Sequence, residues 1–161
     1  MVNGRSMFRL LMLTVTGWLG FASLVQANEC VALLSSLLAK LPRLEFGGRS
    51  RMAGAPNFDI VYLRHSQASQ VVLSCRPRQP SLSIDWRGGP PPAGYFQLIG
   101  QLGSIMTGVP PDAVRTGAVE CQKLALAAAY EMSEFESMGV RFECAIFTGR
   151  GTTITIFQPE R

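Results

Sequence analysis

Side chains able to do acid–base, nucleophilic or metal chemistry are sparse in this sequence. His65 is the only histidine. A Ser or Cys nucleophile needs a base within hydrogen-bond reach and a third group to orient that base. Asp59 lies six residues before His65, on the same strand parity but too far to orient it directly, and Ser66 and Ser69 are only neighbours along the chain. No G-x-S-x-G elbow occurs. His65 therefore reads as a residue at a strand end. A small secreted hydrolase with a loop-built site around His65 stands as the alternative.

Carboxylates come next. Glu131, Glu134 and Glu136 fall near the expected end of a long helix, where negative charge opposes the helix dipole. They read as a solvated face or a contact for a cation or basic partner. Without a matching acid elsewhere, no glycosidase pair can be assigned. Gly47-Gly48-Arg49-Ser50-Arg51 has the composition of an anion-binding turn but lacks a strand–loop–helix frame. Gly88-Gly89 has that frame, yet Pro90, Pro91 and Pro92 remove the backbone N–H groups that would hold an anion. No catalytic residue, metal ligand or cofactor site is assigned.

The four cysteines, Cys30, Cys75, Cys121 and Cys144, have no C-x-x-C spacing and only one histidine to join them. A zinc cluster and a thioredoxin-like site are both disfavoured, and two disulfides are expected. Three pairings are possible. Cys121–Cys144 and Cys30–Cys75 would each join a helix to a strand, but the spacing does not decide among the three.

The compartment follows from residues 1–27. Arg5 and Arg9 precede an uncharged run from Leu10 to Val25, and Val25-Gln26-Ala27 places small side chains where a signal peptidase looks. The run falls short of the roughly 20 residues a membrane span needs. We expect a signal peptide over 1–27 and one domain over 28–161, periplasmic or secreted, with no membrane span after processing. Processing would remove two arginines and no acid, lowering the net charge from +4 to +2, so nucleic acid is not an expected partner.

The remaining elements must position whatever function there is. Cys30, Leu33, Leu34, Leu37, Leu38 and Leu41 form the stripe of an amphipathic helix, with Asn28 as a cap and Pro42 as a stop. Residues 42–57 read as a long Gly- and Arg-bearing loop. Strands are expected over 58–64, 70–76 and 81–86, then a helix after the RGGPPP turn, then a second from about 113 to 132. A hairpin over 140–147 and 152–157 closes the chain around Gly149-Arg150-Gly151. Gly100 and Gly103 either let the two later helices approach closely or face solvent. The expected fold is α+β: a five-stranded, largely antiparallel sheet with helices on one face, in the order α-βββ-αα-ββ.

Two surfaces are expected to bind. Arg76, Arg78 and Arg87 stand at strand ends where they could converge, alongside Arg49 and Arg51 of the loop. Val61, Leu63, Val72, Ala145, Phe147 and Phe157 would form an apolar patch on the outer sheet face, of a size that marks interfaces. With 47% hydrophobic and 16% charged residues the chain is globular. The reading is a non-catalytic binding or assembly module. Its partner would be an envelope protein, an anionic envelope component, or a second copy of itself.

Overall fold

A computed structural model describes residues 19–52, 58–76, 79–147, 149 and 151–158, with side chains from Glu29 onward. The elements are α1 (Leu19–Lys40), β1 (Glu45–Arg51), β2 (Asp59–His65), β3 (Ala68–Cys75) and β4 (Ser81–Arg87). They continue as α2 (Ala93–Thr107), α3 (Pro111–Ala127), β5 (Met132–Ser137), β6 (Val140–Phe147) and β7 (Gly151–Phe157). The α+β class holds, but the expected five strands are corrected to seven among the described residues. All are antiparallel in one open sheet of order β1-β2-β3-β4-β7-β6-β5.

Both added strands are edges. β1 (EFGGRSR) lies within the expected loop. It has no β-branched residue, its side chains are almost all exposed, and it shifts register between Phe46 and Gly48. Its backbone pairing with β2 makes it a strand, and arginines and a bulge are devices that keep an edge from pairing further. β5 replaces the expected end of the second long helix. α3 stops at Ala127, and Ala128 takes extended angles (φ −81°, ψ 143°). Met132 therefore leaves the helical seam, and Phe135 turns inward against Phe142, ring centroids 6.4 Å apart. Asn28, expected as a cap, lies inside α1, whose backbone runs unbroken across the proposed cleavage point after Ala27.

Two apolar rows cross the covered face. One runs Val61–Leu73–Leu82–Ile156–Phe142–Phe135 and the other Leu63–Val71–Ile84–Ile154–Cys144, each step a cross-strand pair. Val61 and Leu63 are 2% and 1% exposed, which corrects their expected place on the outer face. Strand side chains alternate with a period of two, so pairing with Leu73 and Val71 sets the facing of the whole strand. Ile60 and Tyr62 turn outward as a result. Helix α2 adds Tyr95, Leu98, Ile99 and Leu102 to the core, and the Tyr95 hydroxyl donates to the Ile84 carbonyl oxygen at 2.7 Å.

The helices meet through glycine. A Cβ on Gly100 would stand 2.6 Å from the Pro111 carbonyl oxygen, and one on Gly103 2.5 Å from Val114 Cγ1. Close approach, not solvent exposure, is their role. Disulfides join Cys30 to Cys75 and Cys121 to Cys144, tying α1 to β3 and α3 to β6. Among the described residues no helix is long and apolar enough to cross a membrane.

Candidate functional site

An apolar groove lies where β4 leads into α2. After Arg87 the chain turns through Gly88 (φ 117°), and the Trp86 indole N–H donates to the Gly89 carbonyl at 3.1 Å. This folds Gly88-Gly89-Pro90-Pro91 back toward the C-terminal part of α3 and the β6–β7 hairpin. Gly151 packs so closely on β4 that a Cβ there would meet the Trp86 carbonyl oxygen at 1.9 Å. Between these elements is a groove of about 380 Å³, lined also by Gln122, Leu126, Ile146, Phe147 and Thr152. Among the described residues no lining side chain is titratable. Leu126 and Phe147 remain 64% and 52% exposed, so the groove continues into an apolar rim.

Of the residues expected to bind, Phe147 is the one this groove uses. Arg87 does not converge with Arg76. β3 and β4 are antiparallel, so Arg76, just past the end of β3, and Arg87, at the end of β4, stand at opposite ends of the sheet. Arg49 and Arg51 share the end of Arg76, but both pair with Asp59, Arg51 Nε at 3.4 Å from Oδ1. Partial burial opposes the Asp59 charge, yet the two guanidiniums outweigh it and hold the carboxyl below its ordinary value. Arg76 lies over the Phe58 ring, 5.4 Å from its centroid. These cations serve internal contacts. Arg78 lies outside the described residues, as does Arg150 of the hairpin.

The expected apolar patch is also divided. On the outer face Ile60, Tyr62 and Val72 are separated from Ala145 and Phe157 by a polar centre. Ser83 Oγ and Thr155 Oγ1 lie 2.9 Å apart, and Thr153 donates to Asp85 Oδ1 at 2.8 Å. Phe157 is covered by the Arg141 guanidinium, 4.0 Å from the ring centroid. Polar groups therefore interrupt the apolar side chains of this face.

His65 closes the β2–β3 turn. Its Nδ1 accepts the Gln67 backbone N–H at 3.2 Å, which occupies the nitrogen a general base would use. Burial, with the nearby Arg43 charge, holds its pKa below the ordinary histidine value. The glutamates disperse: Glu134 and Glu136 lie on β5, where Glu134 opposes Glu143 and Glu136 opposes Arg141. Arg141 also reaches Glu143 at 3.5 Å. Among the described residues no three His, Cys, Asp or Glu side chains gather as a metal centre would need.

Sequence reasoning missed Leu126, which it would place on an exposed helix face, and the convergence of three distant segments on it. The RGGPPP turn was the available signal: a proline run after a strand removes backbone donors and leaves a hydrocarbon wall. Comparison with family models, curated proteins and solved structures gives no match.

Proposed function

We propose that this protein is a disulfide-stabilised binding module of the periplasm or the secreted space, without catalytic activity, and that its working surface is the groove at the β4–α2 turn. The observation that carries this is the lining of that groove: about 380 Å³ walled by Pro90, Pro91, Leu126, Ile146 and Phe147, with no acid or base among the described lining residues. Its volume lies within the range of ligand sites, which are mostly apolar with few polar groups. The hydrolase alternative is disfavoured because His65 spends its acceptor nitrogen on a turn. Export is supported by the two disulfides, which form and persist in oxidising compartments. The partner is a component of the cell envelope.

A photo-crosslinking residue placed in vivo at Phe147 tests this, with Tyr62 of the outer face as control. We expect Phe147 to yield a discrete envelope adduct that Leu126→Ser weakens, and Tyr62 to yield none. Equal crosslinking from both positions would refute the choice of surface. An amino terminus at Asn28 and the absence of free thiols test export. Hydrolytic activity that disappears in His65→Ala would reinstate the alternative.

A further inference from the structure

Resting on that reading of the groove, we propose that its occupant is a single acyl chain of an anionic membrane lipid, taken up as this end of the molecule rests on a lipid surface.

Three observations carry the assignment. First, the wall offers hydrocarbon and almost nothing polar. Pro90 and Pro91 have no backbone N–H, the Gly89 carbonyl is already held by Trp86, and Thr152 Oγ1 donates to the Ala145 carbonyl at 3.3 Å. Among the described lining residues the Gln122 amide is the main polar side chain left. An extended peptide would bring an N–H and a C=O with every residue, and those turned toward the wall would find few partners there. An acyl chain brings neither.

Second, the size suits one chain. If a methylene takes the ~30 Å³ share of a water molecule, about 380 Å³ holds a segment of roughly twelve to thirteen carbons. The groove is open to solvent, so a headgroup need not enter.

Third, exposed apolar side chains gather at the same end. Leu126 and Phe147 form the rim. Tyr130 lies in the link between α3 and β5, and Met132 opposite Ala145 at the start of β5. Tyr130 is 89% exposed and Met132 66%. Exposed aromatic and aliphatic side chains at one end are what a lipid interface accepts. Arg87, also exposed, immediately precedes the Gly88 wall and supplies a cation for an anionic headgroup.

Trp86, the one tryptophan of residues 28–161, reports from beside the groove through its bond to Gly89. The test is binding of the processed, oxidised protein to phosphatidylcholine vesicles with and without phosphatidylglycerol, with acyl chains brominated in a parallel series. We expect saturable binding that favours phosphatidylglycerol, quenching of Trp86 by brominated chains, and loss of the headgroup preference in Arg87→Gln. Leu126→Ser with Phe147→Ser should weaken binding roughly tenfold or more, the factor carried by burial of one large apolar side chain. Both positions are exposed, so the fold survives. Val31→Ser, half-exposed on α1, should leave binding unchanged.

Absence of vesicle binding, binding without quenching, equal affinity for both vesicle types, or unchanged affinity in the double variant would each overturn the lipid assignment. If Phe147 crosslinks a protein in the envelope while vesicles do not bind, the lipid assignment fails and the binding-module reading stands. If neither occurs, both fail.

Discussion

The junction of α2 and α3 gives the sharpest test of the fold, because it predicts a sign. An alanine replacing a solvent-facing glycine in a helix interior stabilises by about 1 kcal/mol through helix propensity. Gly100 lies within α2, where an added Cβ would stand 2.6 Å from the Pro111 carbonyl oxygen and 3.1 Å from Arg115 Cβ. The first of these is backbone, in the opening turn of α3, and it cannot rotate aside. Overpacking costs about 1–3 kcal/mol, and a backbone obstruction belongs in the upper part of that range. Less the propensity gain, Gly100→Ala should destabilise by about 1–2 kcal/mol. At roughly 4 °C per kcal/mol for a domain of this size, the midpoint of thermal unfolding should fall by about 4–8 °C. Gly103→Ala should cost less, since the Val114 Cγ1 and Ile156 Cδ1 atoms it meets are side-chain tips. The assay is urea unfolding of the oxidised protein, read by circular dichroism, for wild type and both variants. A Gly100→Ala protein as stable as wild type, or more so, would refute the close approach of the two helices.

Four other outcomes follow. Tyr95→Phe removes the donor to the buried Ile84 carbonyl and should cost about 1–2 kcal/mol in urea unfolding. Replacing both cysteines of a bridge by serine should cost about 3 kcal/mol for Cys121–Cys144 and about 4 for Cys30–Cys75, from loops spanning 23 and 45 residues. Equal effects would point to native-state strain or residual denatured structure instead. Because the folded protein disfavours protonation of His65, the unfolded chain takes up that proton first as pH falls through about 6.5. Stability should therefore decline from about pH 7 downward and level off below the folded-state pKa, and His65→Asn should remove that component. Asp59 works in the same sense at lower pH: its lowered pKa gives stability that is present above about pH 4 and lost as pH falls through the folded value. Asp59→Asn should remove that part of the acid transition, with a small effect at neutral pH because Arg49 and Arg51 are largely exposed.

The strands that were legible are those whose burial wrote a pattern. Val71, Leu73 and Cys75 of β3, Leu82 and Ile84 of β4, and Phe142 with Ile154 and Ile156 of the last hairpin alternate because one face meets the helices. The edges carry no such mark. β1 turns nearly every side chain to solvent, and Glu45, Arg49 and Arg51 are chosen to resist further pairing, not to be buried. β5 offers Phe135 as its one large inward residue. Edge strands are defined by the neighbour they pair with, and that neighbour is distant in sequence: the partner of β5 is known only once β6 is placed. The parity of β2 was open for the same reason. Phe58, Ile60 and Tyr62 look as apolar as Val61 and Leu63, and the choice is made by Leu73 and Val71 across the ladder.

The candidate site was less legible than the fold, because no segment contains it. Its floor is Ile146 and Thr152 of a hairpin, one wall is Leu126 of α3, and the other is the turn after β4. Each has an ordinary local reading: a hairpin pair, a helix surface residue, a proline-rich connection. Antiparallel pairing decides which strand ends share an end of the molecule. The same rule that separates Arg76 from Arg87 brings Gly88 beside Gly151 and Phe147. A convergence of Arg87 with Arg76 was thus expected where the topology forbids it, and a convergence of apolar groups arises where charge gave no hint. The proline run links the two. Lacking N–H groups, it cannot cradle an anion, and for that same reason it makes a wall against which a hydrocarbon chain leaves no polar group unpaired.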